Sequence, residues 1–399
     1  MANAKIKVAL VQPICTAYRA RIFEKLSKRL ANMGFELTVF FATPQRGLTY
    51  SGIIPVPKFN FYYKVLPKIA YEGKLPTSPF HLKRALIFFP TLIFEIGQGK
   101  YDITISDSTG ELLNTLPLLF VNKFLLHKSF IVWCGNNIKD NAPKPSDSII
   151  KKIAYAFARL IYRYCDACIV YGPASKQFDI YMGADPTKIF IAWNTVDTLY
   201  FEETIKAGKN EIQNLRRELG ITGKKGILYV GVLEKRKRPE NLILAFRELK
   251  KSIEDATLLI VGDGPYKQFL LDLCYKEKIE DVHFLGKIDY RRIPLFYAVS
   301  DVFALPSQGG IAVAEAMASG KPVVITGECN ALRSIPGFVR HGENGFIANE
   351  GDISSLAYYV GKVLSDTALA KKMGMISKEM ARKYFSIEKM LKGFEQAID

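Results

Sequence analysis

Short apolar runs alternate with amphipathic segments along the chain, and this alternation limits the fold more than any other feature. In the first half, strand-like runs at 5–13 and 36–42 flank a segment at 18–35 whose apolar residues have helical spacing. Further strand-like runs follow at 101–106, 129–135, 166–172 and 188–194. Strands that alternate with helices predict parallel sheets covered by helices.

The same alternation restarts in the second half. Strand-like runs stand at 224–233, 256–265, 282–288 and 302–307. A polar interval at 194–211 without a clear pattern separates the halves, and a helix-like segment at 387–398 ends the chain. A chain of 399 residues also exceeds one ordinary core. We therefore predict an α/β protein with two Rossmann-like, doubly wound domains that face each other across a cleft.

The formal net charge of +16 is concentrated in the first half, where 25 Lys and Arg against 13 Asp and Glu give +12. Such asymmetry indicates an anionic partner, such as phospholipid headgroups or a phosphorylated substrate, although solubility alone also accounts for it. Because no nucleic-acid-binding motif is present, we expect no nucleic acid among the partners.

Cysteines and apolar runs bear on the cellular compartment. Six cysteines do not form a disulfide framework. Cys165 and Cys168 form a CxxC, either as small apolar residues where a helix meets a strand or as a redox pair. The longest apolar run, at 85–94, is too short to span a membrane, and the N-terminus lacks a signal-peptide layout. We therefore expect a cytoplasmic protein.

The stretch at 306–327, PSQGGIAVAEAMASGKPVVITG, predicts a strand exit followed by a helix and a buried strand. Free amides at a helix N-terminus bind anions, and glycines such as Gly309 and Gly310 let a phosphate approach. Glu315 lies about one turn further, and its carboxylate can accept hydrogen bonds from ribose hydroxyls. The alternative is that it only stabilises the helix through the positive end of the helix dipole. Phosphate and ribose together describe a nucleoside diphosphate.

Three other strand exits of the second half carry candidate ligand groups. The basic run at 235–238 follows a strand and would neutralise a diphosphate, although a solvated charge run is the simpler interpretation. VGDGP at 261–265 is a tight exit, and FLGKI at 284–288 offers backbone groups to a base. In doubly wound folds, ligands bind beyond the carboxyl ends of the strands.

These motifs resemble the donor-binding domain of retaining GT-B glycosyltransferases, specifically glycosyltransferase family 4. The chain reads GVLEKRK, GDGP, FLGKI and PSQGGIAVAEAMASGKPVV in the order and at the intervals of that family. The resemblance implies an acceptor-binding domain at 1–195 and a nucleotide-sugar donor domain at 210–378. It also implies a C-terminal helix at 379–399 that packs back on the first domain.

The resemblance implies a role for each matching residue. Glu315 would bind the ribose, Lys237 the diphosphate and Gln308 the sugar, and these are the candidate catalytic residues. The implied donor-binding positions are Arg236, Arg238, Gly262, Gly264, Lys287, Ile288, Ser307, Gly309, Gly310, Ile311 and Ala312.

The chain departs from the family pattern at several positions. Val232 replaces the Arg of the strand exit, and Ser307 stands where the first of two glutamates is expected. Gln308 could take that place, although an amide grips a sugar without charge. Cys134 replaces a frequent His of the first half, and the paired-glycine loop after the first strand is absent.

The resemblance implies transfer with retention and without a metal, because the leaving diphosphate itself accepts the acceptor's proton. The expected donor is a UDP- or GDP-linked sugar rather than an ADP-linked one, and no separate cofactor is expected. The alternative is a catalytically weakened GT-B protein that binds nucleotide sugar or partners another transferase.

The first half is expected to hold the glycan or lipid-linked acceptor. Basic and aromatic residues interleave at 57–76 and 78–94, which suits an anionic membrane surface on the inner face of the cell membrane, unless they form a core with a lysine rim. The acceptor-side candidates, all just past the first strand, are Thr16, Tyr18, Arg19 and Arg21.

Overall fold

A computed structural model describes residues 5–12, 15–42, 59–71, 86–107, 112–136, 138–307, 310–327 and 338–399. These residues divide into two compact units. The first runs to Asn194 and includes Glu388–Asp399 from the end of the chain, and the second runs from Thr195 to Ile387.

The first unit contains a parallel sheet of seven strands in the order β3-β2-β1-β6-β7-β8-β9. Two short strands, β4 and β5, pair antiparallel beside it. The strands are β1 Ile6–Val11, β2 Phe35–Ala42, β3 Tyr63–Leu66, β4 Ile69–Tyr71, β5 Leu86–Phe88, β6 Ile103–Asp107, β7 Ser129–Cys134, β8 Ala167–Val170 and β9 Ile189–Ile191.

Helices cover both faces of this sheet. They are α1 Ala17–Asn32, α2 Leu92–Gly99, α3 Leu112–Phe120, which continues into a π-helical turn at Val121–Leu125, α4 Ile138–Asn141, α5 Ile149–Tyr164 and α6 Pro173–Met182. Apolar side chains of α2, α3, α5 and α6 share one core with one face of the sheet. On the other face, Phe23 of α1 packs edge-on against Trp133 of β7.

The second unit contains a parallel sheet of six strands in the order β12-β11-β10-β13-β14-β15. The strands are β10 Lys225–Val230, β11 Ala256–Val261, β12 Val282–Gly286, β13 Val302–Leu305, β14 Val323–Thr326 and β15 Gly345–Ala348. The central strands are apolar and almost fully buried, as expected for a parallel sheet with both faces covered.

The described helices of this half are α7 Thr198–Ala207, α8 Lys209–Glu218, α9 Pro239–Lys250, α10 Lys267–Lys276, α11 Ile293–Val299, α12 Ile311–Ala318, α13 Ile353–Ser365, α14 Thr367–Tyr384 and α15 Ile387–Ile398. Short 3₁₀ turns lie at Pro186–Lys188, Lys235–Lys237 and Tyr290–Arg292. α15 belongs to the first unit, where Phe394 packs on Trp133 with ring centroids 5.0 Å apart.

The prediction of two Rossmann-like domains is confirmed, with one correction within the interval at 194–211. That interval was expected to be unpatterned, but it contains α7 and the start of α8. The Asp197 carboxylate accepts a hydrogen bond from the amide of Tyr200 and caps α7, a local signal that the charged composition conceals. Among the described residues, no helix is both long and apolar enough to cross a membrane.

Candidate functional site

The second sheet has a topological switch point between β10 and β13. From β10 the chain winds outward through β11 and β12, and then returns to place β13 on the opposite side of β10. Loops that leave neighbouring strands in opposite directions open a crevice at the carboxyl ends. The basic run after β10 and the Ser307 segment after β13 are therefore brought to one place.

A hydrogen bond joins these two loops directly. Ser307 is buried, and its hydroxyl donates to the carbonyl oxygen of Arg236 over 2.9 Å. Ser307 thus has a structural partner at the position where the resemblance implies a glutamate. Gln308 and Gly309, which the sequence assigns to the donor site, lie outside the described residues.

Gly262 and Gly264 let the exits of β10 and β11 lie against each other. A Cβ atom on Gly262, whose φ is +139°, would lie 1.8 Å from the carbonyl oxygen of Gly231, and one on Gly264 would lie 2.3 Å from that of Leu233. Backbone hydrogen bonds join the exits, including Leu233 to the Asp263 carbonyl at 3.0 Å. These glycines therefore have a packing role that is independent of any ligand.

The N-terminus of α12 follows β13 closely. Gly310 caps the helix, and Gly310, Ile311 and Ala312 are half-buried. The first N–H groups of a helix have no carbonyl partner within the helix. The cap therefore presents donors at the switch point, as the sequence predicts for the distal phosphate.

Glu315 lies on the second turn of α12 and is 5% exposed. The Tyr297 hydroxyl of α11 lies 3.1 Å from its carboxylate and 3.0 Å from the Ala312 carbonyl. Because Glu315 lies beyond the first turn, the helix dipole does not explain its presence. The sequence identifies this carboxylate as unusual, but it does not identify Tyr297, whose contact is tertiary.

Burial raises the pKa of Glu315 to about 7, and hydrogen bonds from Tyr297 and Tyr290 only partly oppose the shift. Burial and the nearby carboxylate also raise the pKa of Tyr297 well above its ordinary value. The carboxyl group is therefore neutral in mildly acidic solution and ionised in mildly basic solution. A buried carboxylate acceptor whose charge changes near pH 7 is a feature of ligand sites.

The basic run after β10 contains two kinds of side chain. Lys235 and Arg236 are exposed, whereas Lys237 and Arg238 are half-buried. Arg236 pairs with Glu234 at 2.6 Å and Arg238 with Glu350 at 3.4 Å. Because such exposed pairs are weak, a diphosphate can replace their carboxylates at small cost.

The remaining predicted donor positions lie after β12. Lys287 is exposed and Ile288 is half-buried. β12 is the edge strand beside β11, and the two strands β11 and β10 separate it from β13. The backbone groups of Lys287 and Ile288 lie at the same carboxyl edge of the sheet as the switch point.

The first unit brings Arg19 of α1 together with residues from three strand ends. Its guanidinium donates to the Gln12 side chain and, over 2.6 Å, to the Tyr171 hydroxyl. It also lies over the Trp133 ring, 4.6 Å from the centroid. Sequence reasoning missed Tyr171 and Trp133 as partners, although each stands at a strand exit.

The other acceptor-side candidates also lie on or beside α1. Thr16 is the N-cap residue, but its buried hydroxyl makes no capping hydrogen bond and has no hydrogen-bond partner among the described residues. The Tyr18 hydroxyl accepts a hydrogen bond from Arg19 over 3.1 Å, and Arg21 is half-buried. Thr16, Tyr18 and Arg19 thus lie at the carboxyl end of β1, the first sheet's own switch point.

Within the first unit, the CxxC lies away from the switch point, where α5 meets β8. The sulfur atoms of Cys165 and Cys168 are 3.5 Å apart, and their hydrogen bond together with burial raises the pKa of Cys168. Cys134 lies 3.4 Å from both carboxylate oxygens of Asp179, whose pKa burial raises to about 8. Cys134 and Cys168 therefore pack as buried thiols beside a carboxyl group that is protonated at neutral pH, while Cys165 is half-buried.

Across the parts of the chain that the structure describes, no three His, Cys, Asp or Glu side chains cluster closely enough to hold a metal ion. The metal-free chemistry predicted from the sequence stays a prediction.

Two Rossmann-like units in one chain are the architecture of the GT-B fold. The solved structure of Anabaena Alr3699/HepE in complex with UDP matches 98% of this chain and 99% of its own, with a TM-score of 0.70 and 18% sequence identity. Residues 211–380 match the sequence model of the family Glycosyl transferases group 1. The resemblance predicted from the motifs is thereby confirmed.

Two curated relatives each match less than half of this chain. N-acetyl-alpha-D-glucosaminyl L-malate synthase of Bacillus anthracis is 32% identical over 192 residues, 47% of this chain and 49% of the relative. The GDP-mannose-dependent alpha-(1-6)-phosphatidylinositol monomannoside mannosyltransferase of Mycobacterium tuberculosis is 28% identical over 176 residues, 41% of this chain and 45% of the relative. The match spans about half the length of these curated relatives.

Proposed function

We propose that this chain is a retaining glycosyltransferase of the hexosyltransferase type. It transfers a sugar from a nucleoside diphosphate sugar to a hydroxyl of an envelope, lipid-linked or polysaccharide acceptor. The observation that carries the proposal is Glu315, a buried carboxylate on a helix whose N-terminus follows the switch-point strand β13. Ribose hydroxyls and phosphates are the ligand groups that match such a carboxylate and such amides.

The donor is proposed to carry UDP or GDP. The HepE structure contains UDP, and the mycobacterial relative is named as GDP-mannose-dependent. The base would lie at the Lys287–Ile288 loop and bind through backbone groups. Because backbone contacts leave little trace in side chains, the two bases are treated as equal candidates.

The proposed chemistry needs no protein nucleophile and no metal. The acceptor oxygen bonds to the anomeric carbon as the bond from that carbon to the diphosphate breaks. The acceptor's proton passes to the departing phosphate oxygen on the same face of the sugar, which retains the configuration. Lys237, Arg238 and the amides of α12 stabilise the charge that develops on the leaving group.

The acceptor is proposed to bind to the first unit near Arg19. The hydrogen bonds to Gln12 and Tyr171, together with the Trp133 ring, hold this guanidinium in one orientation. A fixed guanidinium positions a hydroxyl or an anionic group of the acceptor. A membrane-borne acceptor would place the protein at the inner face of the cell membrane, as a peripheral cytoplasmic enzyme.

One observation favours the alternative, a catalytically weakened protein that binds nucleotide sugar or partners another transferase. The Ser307 hydroxyl donates its proton to the Arg236 carbonyl, so only its uncharged oxygen is left to accept from a sugar hydroxyl in place of the missing glutamate. Sugar recognition at this position then depends on Gln308 and its neighbours. Nucleotide binding is common to both hypotheses, whereas turnover separates them.

The test is a donor assay on the purified protein. UDP- and GDP-linked hexoses are supplied with and without extracted envelope lipids, and release of the nucleoside diphosphate and transfer of labelled sugar are measured. The proposal predicts transfer by the wild type, loss of transfer in Glu315→Gln, and a product with the anomeric configuration of the donor. Tight nucleotide binding without turnover on any donor would support the weakened protein instead.

A further inference from the structure

Helix α5 presents a row of large apolar side chains to solvent. We call this row the outer stripe, and its members, between 42% and 71% exposed, are Ile149, Ile150, Ile153, Phe157, Leu160 and Tyr164. Single exposed apolar residues are ordinary, but a contiguous apolar patch indicates an interaction site.

The apolar positions on α5 fall into two separate arcs. At about 100° per residue, the six members of the outer stripe lie within an arc of about 100°. A second apolar arc, which includes Tyr155, Ala158 and Ile161, is buried in the core of the first unit. The outer stripe is therefore additional to the face that folding needs.

The apolar surface continues beyond α5. α3 packs against α5, and the π-helical turn that follows α3 extends the contact. Phe124 lies 5.6 Å from Phe120 and 5.9 Å from Tyr164, measured between ring centroids. Phe120, Phe124 and Leu125 are each at least half exposed. We call these three residues and the outer stripe together the apolar face.

Cationic side chains line one flank of the apolar face. Lys152, Arg159 and Arg163 are exposed, and at about 100° per residue they occupy the arc of α5 next to the outer stripe. α5 contains no acidic residue, and nearby Asp147 and Asp166 are paired with Lys151 and Lys123. A surface of aromatic and aliphatic side chains with a basic flank is complementary to anionic headgroups above an apolar layer.

We propose that the apolar face docks this protein onto an anionic lipid bilayer, with α5 lying in the interface. A second copy of the chain matches less well, because its own face offers these cations no acidic residue on α5 to pair with. In the bilayer, the aliphatic residues enter the acyl boundary while the cations remain at the phosphates.

The inference deepens the proposed function, on whose membrane-borne acceptor it rests for its purpose. It assigns the membrane contact to α5 and its neighbours. The sequence instead placed the contact at 57–76 and 78–94, of which the structure describes 59–71 and 86–94. The contact itself is testable without any donor or acceptor.

The experiment is flotation of the full-length protein with vesicles. One vesicle set contains phosphatidylcholine mixed with phosphatidylglycerol, and the other contains phosphatidylcholine alone. The stripe variant is Ile153→Ser/Phe157→Ser/Leu160→Ser, and the flank variant is Lys152→Gln/Arg159→Gln/Arg163→Gln. The matched control is Leu271→Ser/Tyr275→Ser, which removes two exposed apolar side chains from α10 of the other unit.

The wild type and the control are expected to float with the mixed vesicles. The stripe variant should lose at least about tenfold in partition coefficient, and the flank variant about fivefold per charge removed. All altered side chains are exposed, so melting temperatures should stay close to that of the wild type. Equal flotation of the wild type and the stripe variant would overturn the proposal, as would no flotation of the wild type.

Two further measurements separate the remaining explanations. Sedimentation equilibrium that shows a wild-type dimer, dissolved by the stripe substitutions, would assign the face to a second copy and overturn the proposal. Nucleoside diphosphate binding in solution should be the same in all variants. Flotation without nucleotide binding would leave the docking surface standing while the proposed function fails.

Discussion

Two buried carboxyl groups, Glu315 and Asp179, have pKa values that burial raises to about 7 and about 8. Both are neutral over part of the physiological range in the folded protein and ionised in the unfolded chain. In the folded state each group binds its proton more tightly than in the unfolded state. The stability they contribute is therefore present at low pH and is lost as the pH rises toward their folded pKa values.

Asp179→Asn should remove this pH dependence from the first unit. Between pH 6 and 8, Asp179 should lower the wild-type free energy of unfolding by about 1.4 kcal/mol per pH unit, until the pH reaches the pKa of Asp179. The variant's free energy of unfolding, relative to wild type, should therefore rise by about 2 kcal/mol over this range. Both tryptophans, Trp133 and Trp193, lie in the first unit, so tryptophan fluorescence in urea titrations reports its unfolding.

Asp102→Asn is the matched control. Hydrogen bonds from Lys128 and from the Lys7 amide lower the pKa of Asp102, so its contribution changes only in acid. Its difference from the wild type should not change between pH 6 and 8. A difference for Asp179→Asn that is also constant over this range would contradict a protonated Asp179.

Lys237→Ala should lower kcat by about a hundredfold if this side chain stabilises the leaving diphosphate. Lys235, two residues earlier on the same 3₁₀ turn, is exposed and is the control, since Lys235→Ala removes a charge of the same kind. Steady-state rates with the best donor distinguish a specific contact from a solvated charge run. Equal losses in the two variants would favour the solvated run.

Single residues differ in how far the sequence predicts them. Glu315 is visible as one carboxylate in an otherwise apolar helix, and Lys237 as part of a basic strand exit. Tyr297 as the partner of Glu315, and the Ser307 bond to Arg236, depend on tertiary contact. A linear pattern contains the residue types but not which of them meet.

At the scale of elements, the carboxyl ends of β10 and β11 are held together by backbone contacts that require glycine. Gly262→Ala would place a methyl group 1.8 Å from the Gly231 carbonyl oxygen in a left-handed conformation. The second unit should lose about 3 kcal/mol or more of stability, measured by calorimetric melting.

Gly286→Ala separates the close contact from the backbone strain as the cause of this loss of stability. Gly286 also has a positive φ, of +66°, but a Cβ atom there meets no atom within 4 Å. Its substitution should cost only about 1 kcal/mol of backbone strain. If Gly262→Ala and Gly286→Ala have the same melting temperature, Gly262 is not needed for the close approach of the strand exits.

Strands and helices are predicted best where a pattern of apolar residues has a single structural cause. The central strands of both sheets are predicted because they are buried on both faces and therefore continuously apolar, whereas the edge strands β3 and β15 are not predicted. α5 shows the limit of this reasoning, because its sequence has apolar residues on more than one side. Periodicity detects the helix, but the structure is needed to show which apolar arc packs and which is left exposed.

At the scale of the whole molecule, the chain returns to its first unit at the end. Phe394 of α15 is fully buried and contacts Trp133, while Arg29 pairs with Glu388 at 3.0 Å and with Glu395. The first unit is thus built from both ends of the chain. The sequence predicts a final helix after the second pattern, and its packing on the first domain was implied only by the family resemblance.

Phe394→Ala should destabilise the first unit by about 3–5 kcal/mol, because a buried ring is lost and a cavity remains. Tryptophan fluorescence should show an earlier urea midpoint. The control is Lys392→Ala, since Lys392 is exposed on the same helix. An unchanged midpoint for Phe394→Ala would mean that α15 adds little to the first unit.

The central claim is that the switch point of the second unit binds a nucleoside diphosphate through Glu315. Calorimetric titration of UDP, GDP and ADP into wild type and Glu315→Gln, at pH 6 and 8, tests it most directly. The wild type should bind UDP or GDP more tightly at pH 8, where the carboxyl group is ionised. Glu315→Gln should bind at least about tenfold more weakly at pH 8, with little change between the two pH values. Absence of nucleotide binding by the wild type, or equal affinity of the variant at pH 8, would contradict the claim.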